Sequence, residues 1–444
     1  MKRLVSLLLI LAIMLSFLCV HASASFNSLL ETEADIVLLV SLDNGAVIFD
    51  KNADKKNAPA SLTKIVTCLL VLENCDDLSI ELTCEQDDLT GLYAMNASTA
   101  GILVGETMTI NELLYCLMLP SAADSANILA RYVGGTVDHF VEMMNEYVAN
   151  LGCKNTHFTN PHGLDEDGGA YTTANDLCIL VKHGLKNETF KEITGTLKYQ
   201  IEPTNKYKYT RYLNNTNKMM NSAYRDYYHP AISGVKTGTT ELAGHCVIST
   251  ASQDGYNYLL IVLNAPQYDI DGDNVEENCA FTESKKIYEW AFDNIELTKV
   301  TSTTDIVTVV DVNYSWKTDH LRLVPAKEIS ALVPTGTQSG SLEIKSIPDE
   351  SPKVVDAPIK KGDVLGKAQV LYGEDVVATV DLVAAESVSG SIILRILGWF
   401  KTLFKSTPVK IVFILIALII LAYIALIIRK NLIKAKRRKP KLVK

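Results

Sequence analysis

The stretch "PASLTKIVTCLLVLE", residues 59–73, combines an apolar helical pattern with a serine and a lysine where the pattern begins. Nearly every residue after Thr63 is apolar, which predicts a buried helix over residues 61–74. Ser61 and Lys64 are three residues apart, so a helix places them on the same face. Burial lowers the pKa of a lysine, and a neutral Lys64 could accept a proton from the Ser61 hydroxyl. In the alternative interpretation, Ser61 caps the helix and Lys64 extends to solvent.

The spacing Ser-x-x-Lys recurs at Ser233 and Lys236, so the spacing alone does not identify a site. Two further segments carry suitable chemistry. Ser121 lies between two predicted helices, and the only Lys-Thr-Gly of the chain begins at Lys236 on a predicted strand. Gly238 in that strand would let a substrate backbone approach closely. A serine near a buried lysine, a second hydroxyl, and another lysine beside a glycine together form a candidate acyl-transfer site.

The two ends of the chain predict export and membrane attachment. Two basic residues, an apolar run and a small-residue cleavage site predict a signal peptide over residues 1–24. Residues 409–428 predict a transmembrane helix, because the stretch 411–428 carries no charge. Residues 429–444 hold nine basic and no acidic side chains, so we expect this tail in the cytoplasm and the body outside.

The charge distribution excludes nucleic acid as a partner. Of the 42 basic residues, 12 lie in the signal peptide or in residues 409–444, whereas all 51 acidic residues lie between these two regions. Residues 25–408 therefore carry 30 basic and 51 acidic side chains, a net charge of −21 that repels nucleic acid. The eight cysteines that remain after cleavage are widely spread. We interpret most of them as small buried hydrophobic residues rather than as bridges or metal ligands.

The segment from about residue 35 to 297 predicts an α+β fold. A hairpin is predicted over residues 35–50, and further strands are predicted over residues 232–238, 243–251 and 256–265. Helical patterns occupy residues 61–74, 109–119, 122–133, 138–150, 173–184 and 280–294. Strands at both ends with helices between them predict an antiparallel sheet covered by helices.

Residues 298–388 predict a small all-β domain after a catalytic domain over residues 25–297. Helical periodicity disappears there, and short alternating runs such as "DIVTVVDV" and "VVATVDLVA" replace it. In residues 389–405, "SGSIILRILGWFKTLFK", helical spacing collects an arginine, a glycine and two lysines on one face and apolar residues on the other. This pattern predicts an interfacial helix that lies on the membrane just before the transmembrane span.

The candidate acyl-transfer segments and their surroundings resemble the low-molecular-weight penicillin-binding proteins that are serine-type D-alanyl-D-alanine carboxypeptidases. The resemblance covers about residues 34–297 and rests on "PASLTKIVT", "GETMTINELLYCLMLPS", "FTNPHGLD" and "GVKTGTTELAGHC". It implies a penicillin-binding/β-lactamase-like transpeptidase domain, followed by the β domain and the C-terminal transmembrane helix. It also implies peptidoglycan stem peptides ending in D-Ala-D-Ala as substrates and β-lactams as covalent inhibitors. Neither a cofactor nor a metal is implied.

The resemblance further implies a role for each matching residue. Ser61 is expected to attack the carbonyl between two terminal D-alanines, with neutral Lys64 as general base. Ser121 and Lys236 are expected to pass the proton to the departing D-alanine. The backbone N–H groups of Ser61 and Thr239 would form the oxyanion hole. Substrate binding is assigned to three residues of the Lys-Thr-Gly strand: Thr237, Gly238 and Thr239.

Two departures from the family pattern bear on activity. The second motif of the family reads Ser-x-Asn, yet Ala123 stands two residues after Ser121. A literal Ser-x-Asn occurs at Ser125 and Asn127, but "ELLYCLMLPS" before it fixes the register on Ser121. Residues 264–280 contain neither arginine nor lysine, where some family members offer one to the substrate carboxylate.

These departures leave three alternatives to a carboxypeptidase. A β-lactamase and a DD-endopeptidase would use the same site, and a non-catalytic protein that binds wall peptides would have lost activity through Ala123. His162, in the loop "NPHGLD", has no required step in acyl transfer through lysine. We therefore predict a structural hydrogen-bonding role for His162.

Overall fold

The computed structural model describes residues 30–165, 169–269, 276–373, 375–405 and 407–437. The predicted signal peptide lies outside these residues, as does the end of the basic tail. The chain divides into two compact units. The first comprises the described residues up to Lys299, together with Ser330–Glu343 and Val370–Ala378. The second comprises Val300–Ile329, Ile344–Gln369 and the chain from Thr379 onward.

A five-stranded antiparallel sheet forms the centre of the first unit, with the strand order β2-β1-β9-β8-β7. Its strands are β1 (Ile36–Ser41), β2 (Val47–Lys51), β7 (Ile232–Thr240), β8 (Gly244–Gln253) and β9 (Tyr256–Ala265). All six residues of β1 are buried, as expected for a strand that is covered on both faces. β7 lies at the edge of the sheet, so among the described residues one side of the Lys-Thr-Gly strand has no neighbouring strand.

Helices and short hairpins surround this sheet. The helices are α1 (Thr63–Asn74), α2 (Ile110–Met118), α3 (Ala123–Gly134), α4 (Val137–Asn150), α5 (Ala174–Gly184), α6 (Glu188–Gly195) and α7 (Cys279–Asn294). The hairpins pair β3 (Glu81–Thr83) with β4 (Thr107–Thr109), β5 (Lys198–Ile201) with β6 (Arg211–Asn214), and β10 (Gln267–Tyr268) with β11 (Glu277–Asn278). The predicted antiparallel sheet covered by helices is confirmed.

Five of these seven helices begin at a side-chain cap, whereas α1 and α3 do not. Thr109 and Glu112 form a capping box at the start of α2, and Thr136 and Thr173 cap α4 and α5 through their side chains. The six predicted helices of this region end within two residues of the observed boundaries. Helix α6 and the β5–β6 hairpin were not predicted, because their short sequences carry little periodicity and depend on tertiary packing.

Strands dominate the chain after Asn294, as predicted. A two-stranded sheet pairs β12 (Ile295–Thr301) with β15 (Ile329–Pro334), so the predicted boundary after residue 297 falls inside β12. A second sheet has the strand order β16-β18-β19-β14-β13-β17. Its strands are β13 (Thr308–Asn313), β14 (His320–Pro325), β16 (Leu342–Ser346), β17 (Val354–Asp356), β18 (Val364–Tyr372) and β19 (Asp375–Ala384).

Two helices follow the strands. α8 (Ile392–Lys405) has the amphipathic sequence noted above, and α9 (Thr407–Arg437) follows after a single residue. Within α9, the stretch Ile411–Ile433 is long and apolar enough to cross a membrane, and none of it is buried against the protein. The eight cysteines of the described residues are free, and all but Cys75 are buried, which confirms the interpretation of most of them as small hydrophobic residues.

Candidate active site

The turn that leads into α1 brings Ser61 and Lys64 together. Ser61 lies in a short 3₁₀ helix (Ala60–Leu62), and Lys64 is the second residue of α1. The Lys64 Nζ atom lies 3.0 Å from Ser61 Oγ and donates to the carbonyl oxygen of His162 at 2.5 Å. Only 1% of Lys64 is exposed, and Ser61 makes no capping bond to α1. The alternative of a helix cap with a solvent-exposed lysine is therefore wrong.

Both lysines of the candidate site are buried, and burial lowers the pKa of each. Burial, followed by the nearby charge of Lys236, holds the pKa of Lys64 well below its usual value, and the charge of Asp124 partly opposes this shift. Burial lowers the pKa of Lys236 to about 7. A neutral Lys64 beside a serine hydroxyl is suited to accept its proton.

Strand β7 runs directly against the turn that holds Ser61. A Cβ atom on Gly238 would lie 3.2 Å from both the Ser61 backbone nitrogen and Ala60 Cβ, so a side chain at this position would fit only if the strand or the turn shifted by a few tenths of an ångström. Lys236 is also only 1% exposed, and its Nζ donates to the Thr237 carbonyl at 3.0 Å. Gly238 thus permits the close approach of β7 to the Ser61 turn, whereas the approach of a substrate backbone to Gly238 stays a prediction.

Ser121 occupies the junction between α2 and α3. Its φ of 64° lies in the left-handed region, which few non-glycine residues adopt. The residue is 5% exposed, and its Oγ atom has no hydrogen-bond partner within the described part of the chain. No hydrogen bond joins it to Ser61, Lys64 or Lys236 there. A buried hydroxyl without a protein partner is available to a ligand.

The hydroxyls of the Lys-Thr-Gly strand differ in their surroundings. Thr237 Oγ1 lies 2.6 Å from Thr216 Oγ1, and Thr239 Oγ1 lies 3.2 Å from Nδ1 of His245. Thr239 is exposed, whereas Thr237 is half-buried. Thr216 could not be predicted from the sequence, because its segment lacks a motif and reaches β7 only through the fold.

The loop around His162 supports the site through its backbone. Asn160 Oδ1 accepts from the backbone N–H of Gly163 at 2.6 Å. Gly163 has a φ of 80°, and a Cβ there would overlap the carbonyl of Ala60. Burial, with the Lys64 charge, lowers the pKa of His162 to about 3, and its Nδ1 accepts from the Leu164 N–H at 3.2 Å. These contacts fit the predicted structural role of His162.

The helix after Ser121 directs its polar side chains away from that serine. Ser125 Oγ donates to the Leu113 carbonyl at 2.5 Å, and Asn127 Nδ2 donates to the Asp88 carbonyl at 2.9 Å. Both residues of the literal Ser-x-Asn thus bond to backbone carbonyls. This agrees with the prediction that the second motif begins at Ser121 and not at Ser125.

Asp124 was not predicted from the sequence, although it follows Ala123 directly. It is 1% exposed and accepts from the backbone N–H groups of Ala100, Ile102 and Ser125. Its charge also acts on Lys64. Asp124 therefore anchors the segment near Ser121 and tunes the candidate base.

Comparisons with known proteins cover most of the chain. Residues 21–267 match the profile of the D-alanyl-D-alanine carboxypeptidase family, and residues 296–389 match that of the penicillin-binding protein 5 C-terminal domain. The D-alanyl-D-alanine carboxypeptidase DacF of Bacillus subtilis is 31% identical over 395 residues, which span 87% of this chain and 94% of DacF.

Solved structures show the same fold. Penicillin-binding protein 5 from Haemophilus influenzae superposes with a TM-score of 0.63 over 81% of this chain and 98% of its own, at 24% identity. The Streptomyces K15 DD-transpeptidase superposes with a TM-score of 0.53 over 60% of this chain and 98% of its own, at 29% identity. The former likeness concerns the fold alone.

Proposed function

The chain belongs to the D-alanyl-D-alanine carboxypeptidase family, and we propose that it removes the terminal D-alanine from peptidoglycan stem peptides through an acyl-enzyme on Ser61. Family membership makes the chain a peptidase. The observation that carries the proposed mechanism is the pair of Ser61 Oγ and Lys64 Nζ, 3.0 Å apart, with the lysine buried.

Acylation begins at Ser61. Its Oγ attacks the carbonyl carbon of the penultimate D-alanine, while its proton moves to neutral Lys64. The carbonyl oxygen gains negative charge, which the backbone N–H groups of Ser61 and Thr239 stabilise by roughly 3–4 kcal/mol per donor. The contact of Gly238 with the Ser61 turn supports this arrangement, because it holds β7 beside the nucleophile.

The leaving group needs a proton when the peptide bond breaks. The amine of the departing D-alanine receives it through Ser121 and Lys236. The buried, unpartnered Oγ of Ser121 and the lowered pKa of Lys236 support this relay. Thr237, Gly238 and Thr239 contact the substrate, with the threonine hydroxyls at its terminal carboxylate. Water then hydrolyses the ester on Ser61, and a β-lactam acylates the same atom but leaves slowly.

The experiment uses the purified full chain with a synthetic pentapeptide ending in D-Ala-D-Ala. Release of free D-alanine, together with mass-spectrometric location of a penicillin adduct on Ser61, is the expected result. A pentapeptide ending in D-Ala-L-Ala is the control and should be inert. A penicillin adduct without D-alanine release would favour the non-catalytic alternative. Rapid penicillin hydrolysis or cleavage of cross-linked peptides would favour the β-lactamase or the DD-endopeptidase.

We also propose the division of the chain and its topology. The parts are a signal peptide (1–24), a catalytic domain (25–297), a small β domain (298–388), an interfacial helix (389–405), a transmembrane helix (409–428) and a cytoplasmic tail (429–444). The apolar stretch Ile411–Ile433 and the basic residues that follow it support this orientation. Protease added to intact spheroplasts should digest the body and spare a C-terminal tag. Loss of the tag with an intact body would reverse the topology.

A further inference from the structure

The chain that enters α8 is attached to the β strands before it. Val388 and Ile359 exchange two backbone hydrogen bonds of 2.9 Å. Two residues later, a Cβ on Gly390 would lie 2.8 Å from the Pro358 nitrogen, so the two backbones are in direct contact. The helix therefore begins from a fixed position rather than at the end of a free linker.

The first two turns of α8 continue this attachment. The Ser391 N–H donates to the Tyr314 carbonyl at 2.6 Å, and Ser391 Oγ accepts from the indole N–H of Trp316 at 2.8 Å. The Arg395 guanidinium donates to the Ala357 carbonyl. A Cβ on Gly398 would lie 2.5 Å from Cε1 of Tyr314, so the bare glycine backbone is what lets the ring approach the helix.

These contacts use one face of α8 and leave the opposite face exposed. At about 100° per residue, Ser391, Arg395 and Gly398 fall within roughly 60° of one another. The apolar side chains project from the other side and remain between 44% and 79% exposed: Ile392, Ile393, Ile396, Leu397, Trp399 and Phe400. The face of α8 that carries Arg395 and Gly398 thus contacts protein, although Arg395 itself remains exposed.

The loop under α8 has the character of a membrane-contacting segment. Trp316 is 71% exposed although its indole N–H is bonded to the start of α8. Tryptophan with a satisfied N–H and an exposed ring is typical of the membrane–water interface. Tyr314 holds a φ of 61°, a left-handed conformation that local contacts must stabilise.

We propose that α8 is held rigidly against the β domain and positions the loop Tyr314–Trp316. The apolar face of α8 and this loop then form one lipid-binding surface. The inference rests on the membrane attachment proposed above and deepens it. The occupant is a lipid bilayer, because only one residue separates α8 from α9, which contains the apolar stretch Ile411–Ile433. Residues 387–444 carry no acidic side chain that an anionic lipid surface would repel.

The test uses the full chain with Trp290→Phe and Trp399→Phe, which leave Trp316 as the only tryptophan. The protein is reconstituted in phosphatidylglycerol–phosphatidylcholine vesicles that carry bromine either near the headgroup or near the bilayer centre. An interfacial residue lies at the headgroup–acyl boundary, so headgroup-proximal bromine should quench roughly half of the Trp316 emission, and central bromine clearly less. Absence of quenching in protein that floats with the vesicles would overturn the proposal while leaving membrane attachment intact.

The role of α8 in positioning the loop is tested with Gly398→Leu in the same variant, which has Trp316 as its only tryptophan. The added side chain would collide with Tyr314, so the loop should leave the surface and Trp316 should lose its quenching, whereas flotation through α9 persists. Gly340→Leu is the matched control, because a Cβ at Gly340 meets nothing within 4 Å. Unchanged quenching in Gly398→Leu would show that α8 does not position the loop. Failure of the parent protein to float would overturn both this inference and the proposed attachment.

Discussion

Two segments of this chain carry the same spacing, Ser-x-x-Lys, and the fold uses them differently. In the first, Ser61 and Lys64 lie on the first turns of a helix, with Nζ 3.0 Å from Oγ. In the second, Ser233 and Lys236 lie on strand β7. Ser233 lies against Gly195 of α6, and its carbonyl accepts from Thr250, while Lys236 donates to the Thr237 carbonyl.

The difference follows from the rise per residue. Three residues of helix advance about 4.5 Å and return to the same face. Three residues of strand advance roughly 10 Å, so two side chains at that spacing are separated. Yet Lys236 is as buried as Lys64. The second segment therefore contributes its lysine to the candidate site and leaves its serine outside. The spacing Ser-x-x-Lys indicates a residue pair only where the segment is helical.

The largest expected effect separates the two serines. Ser61→Ala should abolish labelling by fluorescent penicillin, because it removes the attacking oxygen. Ser233→Ala is the matched control and should label at the wild-type level. Gel fluorescence of the two variants measures the outcome. Labelling that survives Ser61→Ala would transfer the nucleophile to another residue and remove the distinction between the two segments.

A second prediction concerns the loop that supports the first segment. Gly163→Ala should destabilise the protein by at least about 3 kcal/mol, because the new Cβ overlaps the Ala60 carbonyl and the φ of 80° disfavours alanine. Gly135→Ala is the control, since its φ of 74° is similar but a Cβ there meets nothing within 4 Å. It should cost clearly less than Gly163→Ala, because only the backbone conformation and no steric overlap disfavours alanine there. Urea unfolding compares the two, and equal losses would contradict the close packing of residue 163 on the Ser61 turn.

A third prediction tests the register on Ser121. Ala123→Asn should speed penicillin acylation by up to roughly tenfold, because an amide at this position would gain about one hydrogen bond to the substrate. Asn127→Ala should leave the acylation rate unchanged, since Asn127 donates to the Asp88 carbonyl. Stopped-flow acylation of both variants measures this. If Asn127→Ala alone removed acylation, Ser125 would replace Ser121 in the proposed site.

The smallest expected effect is a shift in pH dependence. Acylation should fall as the pH drops through the pKa of Lys64, because protonated Lys64 cannot accept the Ser61 proton. Burial and the Lys236 charge lower this pKa, whereas the Asp124 charge raises it. Asp124→Asn should therefore move the acid limb of the pH–rate profile to lower pH, by less than about one unit. Asp138→Asn, at an exposed position, should not move it, and a shift to higher pH would contradict the electrostatic role of Asp124.

Local sequence was sufficient to predict most helices of the first unit, one residue pair of the candidate site and the two C-terminal helices. Helical periodicity predicted six helices of the first unit, since an apolar face at helical spacing is a local property of the sequence. The Ser61–Lys64 pair was predictable for the same reason, because helical spacing alone brings the two side chains together. The apolar stretch near the C-terminus and the amphipathic helix before it were equally readable from composition.

Tertiary structure decided the contacts between residues that lie far apart along the chain. The carbonyl that binds Lys64 belongs to His162, and the backbone that approaches Ser61 belongs to Gly238; neither contact has a local signal. The same holds for the contact of Gly398 with Tyr314 and of Arg395 with the Ala357 carbonyl, which place this side of α8 against the β domain. Periodicity tells which face of an element is apolar. It does not tell which distant segment packs against the other face. That depends on tertiary packing, in which a glycine without a Cβ atom allows two backbones to come close.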